Sequence, residues 1–415
     1  MKNKLISLLL TTLVFQSSHL EIAKADGITW TSRTPGSDTQ LYGITYGNGL
    51  FVAVSADGTD NSVMTSPDGI TWTSRSTPSD EGWAWSGITY GNGLFVAVTQ
   101  GGTGHKVMTS PDGINWTLRS TPADNSWISV TYGNGLFVAV SWNGTANRVM
   151  TSPDGITWTS RISAADNFWH SITYGNGLFV AVGFLNIAGI GGAVMTSPDG
   201  INWTSRTPAA DKPWKGITYG NGLFVAVGIS GDGGQVMTST DGITWTSRTP
   251  VVTSNWTSIT YGNGLFVAVS YFDPDDNSRS HLMTSTDGIT WTSRTPIAGW
   301  GWNSITYGDG LFVAVNSEFS KIMTSGTHSS VLAAQAAAQA AAQAAAQAAA
   351  QAAAQRAKEQ RELTEIMAVI PVIAELTLAF GEITRSLYST KCVKSKATQF
   401  VKNGSKCPKG FVKKR

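Results

Sequence analysis

Charged residues make up only 13% of this 415-residue chain, and its two cysteines both fall within the last 24 residues. So little cysteine excludes a disulfide-dense scaffold or a cysteine-rich zinc fold for the body of the protein. The segment 273–277 spaces oxygen ligands as a calcium loop does, but it lacks that loop's glycine and final acid, which favours a solvated acidic turn. His105, His170 and His281 show no ligand spacing, and we predict no metal site and no cofactor.

Basic residues are scarce in the body of the chain. Residues 26–326 carry 13 Lys and Arg against 21 Asp and Glu, a net charge of −8 (13 − 21), whereas residues 391–415 carry nine Lys and Arg and no acid. A nucleic-acid-binding domain needs a basic stripe on its folded part, so we expect no nucleic-acid partner.

The first 25 residues have the pattern of a secretory signal peptide. Lys2 and Lys4 precede an apolar run over residues 5–15, and Ala23-Lys24-Ala25 forms a small-residue cleavage site. We therefore expect cleavage after Ala25 and a secreted or cell-surface protein.

One sequence motif, Ile-Thr-Tyr-Gly-Asn-Gly-Leu-Phe-Val-Ala-Val, occurs seven times with small changes. Its tyrosines are Tyr46, Tyr90, Tyr132, Tyr174, Tyr219, Tyr261 and Tyr307, spaced by 44, 42, 42, 45, 42 and 46 residues. Each repeat contains four strand-like runs joined by tight Gly-containing turns, which predicts one four-stranded propeller blade. A binding surface fits this pattern better than an enzyme, because near-identical repeats bring like residues together.

The ends of the array predict how it closes. The seventh repeat stops at Gly326 without a fourth strand, and the segment 26–33 is a fourth strand with no repeat before it. Joining them leaves no open sheet edge. The predicted fold class is all-β: a seven-bladed β-propeller over residues 26–326, closed by the N-terminal strand.

The turn before the last strand of each repeat reads Ser-Pro-Asp-Gly-Ile-Thr-Trp at residues 66–72. It resembles the Asp-box, or BNR repeat, of sialidase-like propellers, although it is one residue shorter between Asp and Gly. This resemblance implies a propeller fold, a structural role for the aspartates and no particular activity. The matching residues are Asp26, Asp68, Asp112, Asp154, Asp199, Asp241 and Asp287.

The repeats differ mainly on one face, which we call the variable face. It consists of the connections between the second and third strands of each blade and between successive blades. Aromatics in these loops are candidate ligand contacts for a glycan or protein partner. The candidates are Trp83, Trp142, Trp300, Tyr271 and Phe272. A tryptophan that recurs five residues before six of the repeat tyrosines is interpreted as packing between blades.

Residues for glycoside hydrolysis are sparse. The propeller segment contains only two glutamates, Glu81 and Glu318, and seven of its nine arginines repeat at the outermost strand. No pair of acids stands out for the paired-carboxylate mechanism. An enzyme would bring unlike polar residues together at the channel, and a lectin would show aromatics with Asn or Asp. A non-catalytic binding protein is favoured; a sialidase-like hydrolase and a structural scaffold for protein–protein interaction remain alternatives.

Residues 327–390 differ completely in composition. Ala-Ala-Ala-Gln repeats begin at Ala333 and predict a helical stalk, with a disordered linker as the alternative. Pro371 is expected to kink or break the helix. Around it, residues 363–387 show apolar spacings of three and four, which predicts an amphipathic helix that self-associates as a coiled coil. We expect this stretch, which Glu375 interrupts, to be too short for a membrane span.

The tail, residues 391–415, contains both cysteines. In an exported protein Cys392 and Cys407 are expected to form a disulfide. The run Lys-Cys-Pro-Lys-Gly-Phe-Val-Lys-Lys with the upstream Cys-Val-Lys-Ser-Lys resembles a C-terminal tail of secreted actinobacterial proteins, which implies a role at the cell envelope. An anionic envelope polymer or lipid headgroup is the expected partner, and a merely solubilising end is the alternative.

Overall fold

The computed structural model describes residues 27, 29–36, 39–56, 62–78, 84–185, 191–229, 235–271, 280–297, 301–317, 320–326, 329–387, 390–394, 397–402 and 404–414. The chain divides into two compact units, residues 1–333 and 334–415. Within the first unit, seven antiparallel four-stranded sheets form a β-propeller. The predicted fold class is confirmed for this part of the chain.

The strands are numbered in chain order, and four of them make one blade. The N-terminal strand is β1 (Thr31–Arg33). The first three blades comprise β2 (Leu41–Gly47), β3 (Leu50–Ser55), β4 (Val63–Ser66) and β5 (Thr73–Arg75); β6 (Trp85–Gly91), β7 (Leu94–Thr99), β8 (Val107–Ser110) and β9 (Thr117–Arg119); and β10 (Trp127–Gly133), β11 (Leu136–Ser141), β12 (Val149–Ser152) and β13 (Thr159–Arg161).

The remaining blades follow the same order. They comprise β14 (Phe168–Gly175), β15 (Leu178–Phe184), β16 (Gly192–Ser197) and β17 (Thr204–Arg206); β18 (Trp214–Gly220), β19 (Leu223–Gly228), β20 (Gln235–Ser239) and β21 (Thr246–Arg248); β22 (Trp256–Gly262), β23 (Leu265–Ser270), β24 (Leu282–Ser285) and β25 (Thr292–Arg294); and β26 (Trp302–Gly308), β27 (Leu311–Asn316) and β28 (Ile322–Gly326).

The N-terminal strand completes the seventh blade. The strand order of this sheet is β1-β28-β27-β26, and β1 pairs antiparallel with β28 through Thr31↔Thr324 and Arg33↔Ile322. The Arg33 Nε donates to Thr324 Oγ1 at 2.9 Å, which adds a side-chain link across the closure. The predicted ring closure is therefore confirmed.

Tight hairpins join the first and second strands of every blade. In the first blade Asn48 and Gly49 have φ angles of 49° and 74°, and the other six blades repeat this pair of positive φ values. Two consecutive positive φ values define the turn whose twist matches that of the flanking strands, and Asn-Gly adopts it at little cost. The repeated Asn-Gly signal thus sets the register of each hairpin.

Adjacent blades share one core. The second blade contributes Trp85, Phe95 and Met108 to a cluster that also includes Val52 and Val54 of the first blade. The recurring tryptophans before the repeat tyrosines are 0–1% exposed, which confirms that they pack between blades. These tryptophans are Trp85, Trp127, Trp169, Trp214, Trp256 and Trp302, and Leu41 stands at the corresponding position of the first blade.

Each repeated aspartate in the described blades caps a turn. The Asp241 Oδ1 accepts hydrogen bonds at 2.8 Å from Ser239 Oγ and from the backbone N–H groups of Ile243 and Thr244. Asp68, Asp112, Asp154, Asp199 and Asp287 make the same contacts. Asp26 lies outside the described residues. Backbone donors favour the ionised carboxylate, so the Thr244 and Ile243 N–H groups lower the pKa of Asp241 to about 2.

These caps predict an acid-dependent loss of stability. A carboxylate whose pKa is depressed by folding stabilises the fold above its unfolded pKa of about 3.9, and that contribution is lost as the pH falls toward its folded pKa. We expect the thermal midpoint to fall steeply between about pH 4 and pH 2. The double variant Asp241→Asn/Asp287→Asn should be less stable at pH 6 and show a shallower fall. Scanning calorimetry at a series of pH values checks this, and equal slopes for both proteins would refute it.

The second unit contains one long helix, α1 (Ser329–Leu387), and a three-stranded sheet. The helix continues through Pro371, so it is not broken there, and a kink at this residue stays a prediction. The exposed apolar side chains of this helix together cover roughly two-thirds of its circumference, which is wider than the predicted stripe. Met367 and Leu378 lie on one side, and Val372 lies on another. Within Gln343–Leu387 an 18-residue window has a mean hydropathy of 1.9, so by length and composition this helix could cross a membrane, which corrects the expectation that the stretch is too short.

The tail forms a small sheet of order β30-β29-β31, comprising β29 (Thr390–Lys394), β30 (Ala397–Val401) and β31 (Val412–Lys413). On the backbone, Cys392 of β29 is opposite Gln399 and Lys413. Cys407 is not a free thiol. The side chain of Cys392 lies outside the described residues, so its disulfide with Cys407 stays a prediction.

Candidate functional site

The first strands of the seven blades form a closed ring. Each of them contacts the first strand of the next blade, and the circle is completed between β26 and β2. The residue that follows the buried tryptophan or Leu41 in each of these strands lines one shared cavity of about 240 Å³. We call these residues the axial ring: Tyr42, Ser86, Ile128, His170, Lys215, Thr257 and Asn303.

A β-bulge places every member of the axial ring. In the fourth blade Trp169 pairs with Gly183 and Ser171 pairs with Val182, so His170 between them has no partner on β15. The same register shift occurs in the other six blades. An unpaired bulge residue is re-aimed away from the ladder, and bulges are common beside binding sites. The bulge thus turns one side chain of each blade toward the cavity.

The axial ring is the one position of this strand with a different residue in every blade. The residues around it repeat closely as Trp-x-Gly/Ser-Ile-Thr-Tyr, whereas x is Tyr, Ser, Ile, His, Lys, Thr and Asn in turn. Sequence reasoning searched the loops for variation and missed this position inside the repeated strand. Seven near-identical blades therefore bring seven unlike side chains to one cavity.

His170 and Lys215 are neighbours in the axial ring. The His170 Nδ1 lies 3.1 Å from the backbone oxygen of Lys215. A carbonyl oxygen only accepts, so we assign the proton to Nδ1, which leaves Nε2 as an acceptor in the neutral ring. Burial and the neighbouring Lys215 charge together lower the pKa of His170 to about 3, so the imidazole is neutral at pH 7.

Among the described residues that line the cavity, the Lys215 side chain carries the only formal charge. Burial lowers the pKa of its ammonium group from the ordinary lysine value. Within the described part of the chain it has no hydrogen bond and no ion pair. A cation in a partly dry cavity without an acidic neighbour is costly in free energy unless a ligand compensates it.

The other polar members of the ring are fixed by neighbouring backbone. The Ser86 hydroxyl donates to the Trp127 oxygen at 3.0 Å, and the Thr257 hydroxyl donates to the Trp302 oxygen at 2.6 Å. The Asn303 Oδ1 accepts from the Ser317 hydroxyl at 2.7 Å and from its N–H at 3.1 Å. These bonds occupy the amide oxygen of Asn303, so its NH₂ group is available as a donor toward a ligand.

An aromatic cluster adjoins His170 on the variable face. The Trp142 ring stacks on Phe168 with centroids 5.1 Å apart, and Phe184 lies edge-on to Trp142 at 5.5 Å. His170 lies 6.0 Å from Trp142 and 5.7 Å from Phe184, centroid to centroid. The cluster is further fixed by Arg148, whose guanidinium lies 5.6 Å from the centre of Phe168 and donates to the Trp142 and Asn167 oxygens.

The structure describes two of the five predicted ligand contacts. Trp142 is half-buried in the aromatic cluster, and Tyr271 is half-buried beside Gly301 on the variable face. Trp83, Trp300 and Phe272 lie outside the described residues. Sequence reasoning therefore identified one residue next to the axial ring, Trp142, but none of the ring itself.

The repeated arginines lie at the outermost strands, away from the axial ring. The Arg161 Nε donates to Thr151 Oγ1 of the neighbouring strand at 2.9 Å. The same bond occurs at Arg33, Arg75, Arg119, Arg206, Arg248 and Arg294. No arginine and no carboxylate lines the cavity among the described residues, and these residues contain no cluster of three potential metal ligands.

The architecture defines the first unit as a seven-bladed β-propeller. No family model and no curated protein matches the chain. Among solved structures it is similar to YCF48 bound to D1 peptide, with a TM-score of 0.55 and 13% identity over 72% of this chain and 97% of the other. The computationally designed Ika8 protein has a TM-score of 0.49 and 10% identity, over 71% of this chain and 98% of the other. The Trypanosoma rangeli sialidase in complex with DANA has a TM-score of 0.42 and 13% identity, over 71% of this chain and 55% of the other. At these identities the likeness shows the fold alone.

Proposed function

We propose that this protein is an exported, non-catalytic binding protein that takes a glycan or protein ligand at the axial cavity and its aromatic margin. The observation that carries this proposal is the axial ring. Within a strand that is otherwise copied from blade to blade, seven different side chains line one cavity. Packing between blades does not require that difference, whereas recognition of an asymmetric ligand does.

The surroundings of the cavity suit recognition. Trp142 and Phe168 offer apolar ring surface beside His170, and the cavity adds further polar groups such as Asn303, a combination that binds the faces and hydroxyls of a sugar or the side chains of a peptide. YCF48, a propeller similar to this one, forms a complex with a peptide. A protein ligand, including the scaffold role considered above, is therefore a sound second candidate beside a glycan.

An enzyme would also bring different polar residues together at the cavity. The presence or absence of catalytic residue types therefore distinguishes an enzyme from a binding protein. Hydrolysis of a glycoside needs two carboxylates in fixed geometry. The described lining provides none, and the repeated arginines are held at the outer strands. Glu81 and Glu318 lie outside the described residues, and the sialidase-like alternative rests on them.

The rest of the chain fits surface display. We propose that residues 1–25 direct export and that the basic tail binds an anionic envelope polymer or lipid headgroups. In this proposal the exposed apolar part of α1, residues 363–387, associates with a second copy or with the membrane, and the Cys392–Cys407 disulfide fixes the tail sheet.

Binding at the variable face has a direct mutational test. Replacing Trp83, Trp142 and Trp300 together by Ala is expected to cost about 1–3 kcal/mol of binding free energy for each residue that truly contacts the ligand, the usual range for an aromatic anchor. A ligand found on a glycan or peptide array supplies the probe, and calorimetric titration measures the loss.

The opposite face offers a matched control. Ile114, Ile156 and Ile201 are 40–44% exposed in the Asp-Gly turns, and their triple change to Ala should leave the affinity unaltered. Mass spectrometry of the incubated ligand reports any turnover at the same time. An affinity that survives the tryptophan changes, or a ligand consumed catalytically, would refute the proposed function.

A further inference from the structure

The described lining of the axial cavity carries charge of one sign only. Among its described lining residues the single ionisable cation is Lys215, and His170 beside it is neutral at pH 7. The remaining members of the ring that carry polar groups are uncharged hydroxyls and one amide. The cavity therefore presents one positive charge and no negative one to whatever enters it.

Burying such a charge is costly unless it is compensated. The free energy of transfer of an ammonium group into a low-dielectric environment is unfavourable, and an opposite charge within hydrogen-bond distance is the strongest compensation. The Ser86 and Thr257 hydroxyls donate to backbone oxygens, and among the described residues neither is hydrogen-bonded to the Lys215 ammonium. A ligand anion is the natural partner for Lys215.

We infer that the ligand of the axial cavity carries a single carboxylate that pairs with Lys215, on a small polyhydroxylated body of sugar-acid type. This inference rests on the proposed function and names the chemistry of its ligand. The source is a free organic acid or the terminal acidic residue of a glycan, because both present the same group.

The charge count selects a singly charged anion. One ammonium compensates one negative charge, whereas a sulfate or phosphate dianion would leave a second charge buried and uncompensated. Lysine binds as a point charge without the two-pronged geometry that arginine offers to phosphate groups. The Nε2 of His170 accepts from a ligand hydroxyl, and the Asn303 NH₂ donates to a ligand oxygen, so a hydroxylated carboxylate satisfies more of the ring than a plain fatty acid.

The cavity size limits the ligand. Its volume of about 240 Å³ is space for a group of about the size of one sugar ring, and further units of a longer ligand would extend out of the cavity. Gln100, in the connection between β7 and β8 on the variable face, also lines the cavity. The terminal residue of a glycan would therefore enter the cavity from the variable face.

The test is a calorimetric titration of the protein with matched pairs of probes. D-Glucuronate is compared with D-glucose and D-galacturonate with D-galactose, since each pair differs only in the carboxylate. We expect the acid to bind about 30-fold more tightly than its neutral partner, because the neutral sugar leaves the half-buried Lys215 ammonium without an opposite charge. Sulfate should compete poorly. An oligouronate that binds more tightly than the monomer identifies a glycan end, and equal affinities identify a free acid.

Substitution separates the role of Lys215 from a general effect of charge. Lys215→Met should remove the preference for the acid while the protein stays folded by circular dichroism, and Lys212→Met, three residues earlier and not in the cavity lining, should keep it. If Lys215→Met fails to fold, the comparison of acid and neutral sugar on the unchanged protein still tests whether the ligand needs a carboxylate. Binding of neutral sugars or peptides without any preference for the acid would overturn the carboxylate inference and leave the proposed function standing. Absence of binding by the acids would also overturn the carboxylate inference, whereas the proposed function fails only if the glycan and peptide arrays yield no ligand.

Discussion

Deleting residues 26–33 is expected to abolish cooperative unfolding of the propeller. The deletion removes β1, which pairs with β28 at Thr324, Met323 and Ile322 and is the fourth strand of the seventh blade. It also removes Trp30, whose ring lies 6.5 Å from Phe312 and packs against the core of that blade. The full edge of β28 is then unpaired, which destabilises the blade and promotes association between edges. Denaturant unfolding followed by tryptophan fluorescence measures the effect.

A permuted chain provides the control. Moving residues 26–36 from the N-terminus to follow Gly326 restores the same strand beside β28, and the junction Ser325-Gly326-Asp26-Gly27 has the spacing of the turn in the other six blades. This chain should unfold in one transition with a midpoint near that of the original protein. A deletion variant with an unchanged cooperative transition would show that the N-terminal strand does not close the ring.

Trp169→Ala is expected to cost about 3–5 kcal/mol of unfolding free energy, the usual range for removing a fully buried tryptophan. Its side chain is 0% exposed and packs with Val138 and Val140 of the preceding blade and Phe179 of its own. The change also leaves the Ala165 oxygen without the bond that it accepts from the indole at 3.1 Å. Equilibrium denaturation in urea, with the slope held constant between variants, gives the value.

Trp142→Ala is the matched control for Trp169→Ala. The two residues lie in neighbouring blades, but Trp142 is half-buried at the margin of the cavity and contacts side chains of the variable face. We expect its removal to cost less than half as much stability. Equal losses for both variants would contradict the division between packing tryptophans and surface tryptophans.

Much of the fold could be predicted from the sequence because its signals are local and repeated seven times. Asn48-Gly49 and its six counterparts fix each hairpin through their positive φ values, and the aspartates fix the second turn through backbone bonds. The closure followed from counting strands at the two ends of the array. Periodicity supplied the number of blades without any knowledge of side-chain packing.

The helix was predicted less well, for a physical reason. Proline removes one backbone hydrogen bond, yet α1 continues through Pro371. Spacings of three and four identify a stripe, but they do not reveal how far apolar residues such as Met367 and Leu378 extend around the rest of the helix. An isolated pattern therefore underestimates a helix that is apolar on most sides.

The candidate site was predictable only in part. Trp142 was found because an aromatic in an exposed loop stands out, whereas Lys215 and His170 occupy a strand that looks like core in every repeat. The β-bulge between Trp169 and Ser171 turns that strand position toward the cavity, and a bulge has no sequence signature here. Comparing the repeats column by column provides the missing signal, since one column holds seven different residues.

The most direct test of ligand binding at the axial ring is a crystal structure of the protein with the ligand that the titrations identify. We expect ligand density in the cavity between Lys215, His170 and Asn303, with the rest of the molecule toward Trp142 on the variable face. Density confined to the Asn-Gly turns of the opposite face or to the basic tail would contradict it.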